Sequence, residues 1–251
     1  MEEKVIYKSK QKTIYLDGDK IIKAHDDLYD TSLVLNEALN QSKVYEAGIS
    51  VPKVYEVKRY NNKLGIVMDY IDGENLENLI MNNPNDINKY MDIFVSTYHD
   101  FTSNKALNLN NSYGRIKNKI FSSELPANIK YGLFYKLREM EFARDVIHGD
   151  YIISNIIIDR QGKAVVLDWG HVAFGDRKLD MAITYALFEL KGQEKLGELY
   201  IDKICELEKI DKEQVFSELI LAYIYIVDRY DEDIKNKIYN KIYEIIKSEE
   251  E

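Results

Sequence analysis

The chain has 251 residues, a formal net charge of −9 and 45% hydrophobic residues. This length and composition allow a sizeable buried core, which excludes wholesale disorder, and the negative charge argues against a broad nucleic-acid surface. The acidic N-terminus, the single cysteine (Cys205) and apolar runs far shorter than the ~20 residues of a membrane-spanning helix lead us to expect a cytoplasmic protein with no membrane partner.

The first seventy residues show mostly strand patterns, interrupted by one helix. Turn residues placed between short β-rich runs predict hairpins, and a capping residue before a helical pattern predicts a helix start. The predicted elements are strands 13–16 and 20–24 across Asp17-Gly18-Asp19, a helix over about 32–46 capped by Asp30 or Thr31 and stopped at Gly48, and strands 54–60 and 63–69 across Asn61-Asn62.

From Asn75 onward the apolar spacing becomes helical, with one short β interruption. The predicted helices cover about 87–102, 127–144, 179–191, 194–207, 212–229 and 233–247, and the interruption is a hairpin of strands 155–159 and 163–167. We therefore predict an α+β fold with two lobes and a cleft between them. The N-terminal lobe would cover residues 1–72 and the larger, mostly helical lobe residues 73–251.

The most informative stretch runs from His148 to Gly170 and contains Asp150, Asn155 and Asp168. Phosphoryl transfer requires a carboxylate to accept the proton of the acceptor hydroxyl and oxygen ligands to hold Mg²⁺. Asp150 and Asn155 lie at the two ends of a short loop that leads into the first strand of the predicted hairpin. Asp168 follows the second strand of that hairpin. A hairpin brings its ends together, so we expect the three oxygen groups to converge.

These residues resemble a known family pattern. The chain contains His-Gly-Asp with Asn five residues after the Asp, then Leu-Asp-Trp-Gly, then a segment from Gly175 to Ala182 that includes Asp180. The combination is similar to the aminoglycoside phosphotransferase and choline kinase superfamily, the small-molecule branch of the protein-kinase fold. The resemblance implies ATP as phosphate donor, with GTP as an alternative, and Mg²⁺. It also implies Asp150 as catalytic base or hydroxyl orienter and Asn155 and Asp168 as metal ligands.

The same resemblance assigns roles in the N-terminal lobe. Lys23 ends the third strand, where the family places a lysine on the ATP phosphates, and Lys20 on the opposite face of that strand is its competitor. Glu37 on the following helix resembles the family glutamate that pairs with this lysine. His148 and Asp180 are expected to brace the catalytic loop, and His99 is expected to be packed.

Two further segments are expected to meet the nucleotide. Residues 66–73 resemble the lobe hinge, whose backbone near Asp69 and Ile71 would contact adenine. The loop 8–12 has no glycine, unlike the phosphate loop of protein kinases. Ser9 and the loop amides are expected to meet phosphate there, with Lys8, Lys10 or Lys12 adding charge.

Two rival functions remain open. A protein kinase is disfavoured because no lysine lies between Asp150 and Asn155 and because the segment from Asp168 to Asp180 is too short for a long activation loop. A non-catalytic nucleotide-binding protein of the spore-coat type is disfavoured because the base and both metal ligands are present. For the enzyme, an antibiotic, choline, a sugar amine and homoserine all remain candidate acceptors.

The distribution of charge raises one hypothesis about the acceptor. From Asp180 to Glu251 there are 18 Asp and Glu against 10 Lys and Arg, a difference of −8. Solvated helix faces explain such an excess, and so does an acidic wall that attracts a cationic acceptor. The candidate wall residues are Glu189, Asp228, Asp231, Glu232 and Asp233.

Overall fold

The computed structural model describes residues 4–9, 11–26, 30–104, 108–140 and 143–250, the side chains of 248–250 excepted. Backbone contacts divide the chain into two compact units. Unit 1 comprises Met1–Tyr90, Ala106–Asn108 and Ile153–Val172, and unit 2 comprises Met91–Lys105, Leu109–Ile152 and Ala173–Glu251. The functional division expected after residue 72 stays a prediction.

Unit 1 contains two antiparallel sheets. The first has the strand order β1-β2-β3-β5-β4 and carries α1, and the second has the order β6-β8-β9. The elements of unit 1 are β1 (Lys4–Lys8), β2 (Lys12–Asp17), β3 (Lys20–His25), α1 (Thr31–Glu46), β4 (Val54–Tyr60), β5 (Lys63–Asp69), β6 (Gly73–Asn75), α2 (Leu76–Asn82), β8 (Ile156–Asp159) and β9 (Ala164–Val166).

Local chemistry explains why these elements begin and end where they do. Asn61 and Asn62 have φ values of 48° and 63°, the left-handed geometry that a two-residue hairpin between β4 and β5 requires. The Asp30 side chain accepts a hydrogen bond from Ser32 N and caps α1, as predicted. The apolar face of α1 then packs on β5, where Val34, Ala38, Ile66 and Met68 form a buried core. Both hairpins and the helix of the first seventy residues are confirmed.

Unit 2 is mostly helical. Its elements are most of α3 (Ile87–Thr102), α4 (Ser112–Ser122), α5 (Ala127–Glu139), β7 (Asp145–Ile147), β10 (Ala173–Gly175), α6 (Arg177–Leu190), α7 (Glu194–Glu208), α8 (Lys212–Phe216), α9 (Leu219–Ile226) and α10 (Glu232–Glu250). Strands β7 and β10 pair antiparallel. Phe94 and Tyr151 stack with ring centroids 4.4 Å apart in its core.

The structure corrects several helix predictions. The helix expected over 212–229 is split into α8, α9 and a 3₁₀ turn at Val227–Arg229. The helix expected over 127–144 ends at Glu139, because Met140 has extended backbone angles, and residues 141–142 lie outside the described part. Helices α2 and α4 were not predicted, although Asn75 and Asn111 cap them with their side chains. In the described part of the chain, no helix has the length and apolarity needed to cross a membrane.

The predicted α+β class is confirmed. A five-stranded antiparallel sheet with one helix precedes a mostly helical remainder, which is the kinase-like arrangement expected from the sequence.

Candidate functional site

In unit 1, a buried lysine on β3 pairs with a buried glutamate on α1. Lys23 Nζ lies 2.6 Å from Glu37 Oε1, and the two side chains are 7% and 6% exposed. Burial opposes the charge of Lys23, but the carboxylates of Asp168 and Glu37 outweigh it and raise its pKa above the ordinary value. Lys23 is therefore a fixed cation inside unit 1, and the pair expected from the sequence is present.

The competing lysine of the same strand has a different environment. The ammonium of Lys20 lies 4.1 Å from the centroid of the Tyr55 ring. Residues three apart on a strand face opposite sides, so the sheet places Lys20 away from Glu37. The register of β3 is thus the one in which Lys23, and not Lys20, faces Glu37.

Asp168 follows β9 and has a φ of 67°, in the left-handed region that few non-glycine residues adopt. Its Oδ1 lies 2.6 Å from Lys23 Nζ, and its Oδ2 lies 2.7 Å from Lys12 Nζ. Burial opposes ionisation, but the two lysines dominate and hold the pKa of Asp168 well below its ordinary value. A strained backbone that presents an ionised carboxylate is typical of a functional position.

Asn155 is joined through its backbone to the residue that precedes Asp168. The backbone N–H of Leu167 donates to the carbonyl of Asn155 at 2.8 Å, which ties the residue before Asp168 to Asn155. A carboxylate and an amide oxygen are hard ligands of the kind Mg²⁺ prefers, with phosphate oxygens and water completing the shell. Among the described residues, no three His, Cys, Asp or Glu side chains cluster as an all-protein metal site.

A histidine that the sequence did not single out adjoins the lysine pair. His25 Nε2 lies 3.6 Å from Glu37 Oε2, and the side chain is 4% exposed. Burial and then the charges of Lys23 and Lys12 lower the pKa of His25 to about 4. His25 is therefore neutral at physiological pH, and its place at the end of β3 was the only signal that could have identified it.

The loop between β1 and β2 is closed by Ser9. Its Oγ accepts from Gln11 N at 3.3 Å and from Lys12 N at 3.2 Å, and its own N–H donates to Lys12 O at 2.9 Å. These three amides are thus engaged within the turn. The phosphate role of Ser9 stays a prediction, Lys8 is exposed, and Lys10 lies outside the described residues.

The segment expected to be the hinge is tied to the sheet through Asp69. Its carboxylate accepts from Lys53 N at 2.9 Å and from Tyr55 Oη at 2.8 Å. Its backbone N–H bonds to Lys53 O, while Ile71 is half-buried two residues later. The contact of this backbone with adenine stays a prediction.

In unit 2, the loop that carries Asp150 is held by a buried carboxylate. Asp180 accepts from His148 N and from Gly149 N, both at 2.8 Å, and Asp150 N donates to His148 Nδ1 at 3.2 Å. Burial raises the pKa of Asp180 to about 6, although the two amides favour its charged form. The bracing roles expected of Asp180 and His148 are therefore present in the structure.

Two other side chains of unit 2 complete this loop's surroundings. Arg229 Nη1 donates to Gly149 O at 2.7 Å and lies 3.6 Å from Asp150 Oδ1. Tyr151 is fully buried, and its hydroxyl donates to Phe94 O at 2.7 Å. Tyr151, which follows Asp150, thus anchors this loop in the core of unit 2. Sequence reasoning missed Arg229, which is 80 residues from Gly149 and lies in no recognisable motif.

His99 differs from the expectation of a packed side chain. Its ring is 46% exposed, and its Nδ1 lies 2.8 Å from Glu208 Oε1. Glu208 also pairs with Arg177, which binds the Asp145 carboxylate through Nε at 3.1 Å and Nη2 at 2.8 Å. His99 is therefore hydrogen-bonded to the Glu208–Arg177–Asp145 cluster near the start of α6.

Comparison with known proteins supports the resemblance to phosphotransferases that the sequence motifs indicated. The model of the phosphotransferase enzyme family matches residues 121–214, a segment that contains Asp150, Asn155, Asp168 and Asp180. No curated protein matches the chain in sequence.

Solved structures with the same fold cover nearly the whole chain. Aminoglycoside phosphotransferase APH(4)-Ia, as a thermostable apo mutant, is 12% identical with a TM-score of 0.66, covering 99% of this chain and 94% of its own. A mutant of the same enzyme in ternary complex with AMP-PNP and hygromycin B is 11% identical with a TM-score of 0.66, covering 98% and 93%. Choline kinase LicA from Streptococcus pneumoniae is 17% identical with a TM-score of 0.66, covering 99% and 94%.

The resemblance predicted from the sequence is therefore confirmed at two levels: the chain has the fold of these enzymes, and residues 121–214 match the model of the phosphotransferase enzyme family.

Proposed function

We propose that this protein is an ATP- and Mg²⁺-dependent phosphotransferase that moves the γ-phosphate to a hydroxyl of a small molecule. The observation that carries the proposal is Asp168, which is ionised, held in left-handed backbone and contacted by Lys23 of the buried Lys23–Glu37 pair. Strained backbone and buried charge both cost stability, and such arrangements cluster at functional sites. The arrangement around Asp168 therefore supports a role in binding phosphate and metal.

The residues divide the work as follows. Lys23, held by Glu37, would contact the phosphates, and Asn155 and Asp168 would hold Mg²⁺, which would supply neutralisation of the phosphate charge. The backbone near Asp69 and Ile71 binds adenine, and the Ser9 turn lies against the phosphates. GTP is the alternative donor. These assignments rest on the resemblance and on the local geometry of unit 1.

Asp150 acts as base or orients the acceptor hydroxyl. Its position is set by the Asp180 carboxylate below the loop and by Arg229, whose guanidinium holds the Gly149 carbonyl. Catalysis in this mechanism comes from positioning and from charge neutralisation, because phosphoryl transfer needs little covalent participation from the protein.

The structure adds an argument against a protein kinase. After Asp168 the chain forms a 3₁₀ turn at Trp169–His171, then β10, and α6 begins at Arg177. The structure describes every residue from Asp168 to Arg177, and this segment is too short to contain a long activation loop. The relatives named above include an aminoglycoside enzyme solved with hygromycin B and a choline kinase, so small hydroxyl compounds are the acceptors to test first.

The charge of the acceptor is a separate hypothesis. The −8 excess after Asp180 favours a cationic acceptor. However, Asp228 pairs with Lys119, Glu189 lies 3.5 Å from Lys241, and Glu232 lies 3.2 Å from Lys235. Part of the acidic surface is thus already neutralised within unit 2. Values of kcat/KM for cationic and neutral acceptors at low and high salt separate the explanations, since salt screens only an electrostatic attraction.

The proposed function is tested by binding and then by turnover. Thermal unfolding is followed with ATP, GTP and AMP, each with and without Mg²⁺, and stabilisation by a nucleoside triphosphate that increases with Mg²⁺ is expected. ATP consumption is then measured with hygromycin B, choline and homoserine, using Asp150→Asn as the inactive control. Equal stabilisation by AMP and ATP, with no effect of Mg²⁺, would contradict the proposal.

A further inference from the structure

Both carboxylate oxygens of Asp168 are occupied by lysines. Lys23 Nζ lies 2.6 Å from Oδ1, and Lys12 Nζ lies 2.7 Å from Oδ2. The positive charge of an ammonium group beside a carboxylate oxygen repels a second cation, so binding of Mg²⁺ to Asp168 favours release of one of the two lysines. The lysine that is more exposed and has fewer other partners is the one that leaves more readily.

Lys12 is the exchangeable partner. Its side chain is 27% exposed, against 7% for Lys23. Lys23 has a second carboxylate, Glu37, at 2.6 Å, whereas Lys12 contacts no carboxylate besides Asp168 among the described residues. A long, flexible lysine side chain that is partly in water changes partner at little cost.

The position of Lys12 indicates its second partner. It opens β2 directly after the turn closed by Ser9, where protein kinases carry glycines that bring backbone amides to the phosphates. In this chain the amides of Ser9, Gln11 and Lys12 are already bonded within the turn. Among the described residues of the turn, the ammonium of Lys12 is a charged donor that can pass to a phosphate.

We propose that Lys12 is a phosphate-binding lysine that holds Asp168 until the nucleotide arrives and then moves to the triphosphate, leaving Oδ2 for the metal. The proposal rests on the proposed function. The exchange keeps charges balanced, because the metal replaces Lys12 at Asp168 while the phosphate oxygens neutralise the released ammonium. Without nucleotide, Lys12 competes with the ion, so metal alone binds weakly.

The test uses the full chain with Lys12→Met and, as matched control, Lys4→Met, which removes an exposed lysine from the neighbouring strand β1. Binding of Mn²⁺ alone is measured from the electron paramagnetic resonance signal of the free ion. Binding of AMP-PNP and of AMP without metal, in EDTA, is measured by calorimetry. Lys12→Arg, which keeps the charge, is the conservative variant, and Lys12→Gln replaces the Met variant if that one fails to fold.

Lys12→Met is expected to bind Mn²⁺ alone about tenfold more tightly than wild type, because the competing cation is gone. It is expected to bind metal-free AMP-PNP about tenfold more weakly, with AMP unchanged, because the lost contact is to the outer phosphates. Lys12→Arg should restore AMP-PNP binding, and Lys4→Met should match wild type. These opposite changes distinguish the proposal from simple destabilisation, which weakens both ligands.

Weaker binding of both ligands, unchanged binding of both, or tighter Mn²⁺ binding with unchanged AMP-PNP binding would each overturn the proposal. The wild-type protein tests the proposed function in the same experiment. If wild type binds AMP-PNP neither in EDTA nor with Mg²⁺, the proposed function fails and the role of Lys12 fails with it. If wild type binds and only the variant pattern is absent, the role of Lys12 alone is wrong.

Discussion

Replacing Lys23 by Met, compared with Lys20→Met, tests the register of β3 and the centre of the proposed site. Lys23 and Glu37 are almost fully buried, at 7% and 6% exposure. Removing one partner of a buried ion pair costs about 3–5 kcal/mol, because the other charge stays buried without compensation. Within the described part of the chain, the ammonium of Lys20 contacts the Tyr55 ring, which is worth about 0.5–1 kcal/mol at an exposed site.

The pH dependence of the Lys23→Met variant has a definite sign. Burial already raises the pKa of Glu37 above 4.5, although Lys23 opposes the shift, so removing Lys23 raises this pKa further. A carboxyl group whose pKa is higher in the folded state favours folding at low pH. Between 4.5 and the raised pKa, the variant therefore loses about 1.4 kcal/mol of unfolding free energy per unit of rising pH.

The assay is urea unfolding between pH 5 and pH 8.5, followed by the fluorescence of Trp169, together with phosphotransferase turnover. Lys23→Met should be the less stable variant and should lose turnover, while Lys20→Met stays close to wild type. The double variant Lys23→Met/Glu37→Gln removes the orphaned carboxylate, and it should regain stability and lose the steep pH dependence. A larger effect at Lys20, or a pH-independent cost at Lys23, would refute the reasoning.

Three further predictions follow from the other residues. Asp150→Ala should lower kcat at least ~100-fold with little change in nucleotide affinity, and near-normal turnover would remove its role as base. Asp168→Asn tolerates left-handed backbone but lacks the charge, so Mg²⁺ should no longer tighten ATP binding and the Trp169 fluorescence response to Mg·ATP should vanish. A preserved metal response would contradict the ligand assignment. Burial raises the pKa of Asp180 to about 6, so on acidification the folded state binds a proton at this carboxyl before the unfolded state does. Between pH 7 and pH 4 this group therefore adds up to about 3 kcal/mol to the free energy of unfolding. Asp180→Asn should therefore lose stability more steeply on acidification than wild type, and parallel pH curves would show that the carboxyl is not shifted.

Local chemistry was sufficient for the first seventy residues. Asp17-Gly18-Asp19 and Asn61-Asn62 adopt turns that few other residues tolerate, and the Asp30 cap defines the start of α1. These signals act within four residues, so they can be identified without knowledge of the rest of the chain. The helix expected over 212–229 failed for the opposite reason, because the uniformly apolar α9 is buried on all sides and its sequence gives no periodic pattern with clear ends.

The spacing of Asp150, Asn155 and Asp168 determined from sequence alone which chemistry to look for, because carboxylate and amide groups around a predicted hairpin form a short, specific pattern. Tertiary structure alone decided which cations face the carboxylates. Lys12 reaches Asp168 across 156 positions of the chain, and Arg229 reaches Gly149 across 80. Lysine and arginine are common on any surface, and a lone cation carries no local signal of its partner. Such contacts depend on how the sheet register and helix packing bring distant side chains within 3 Å, which is a property of the whole fold.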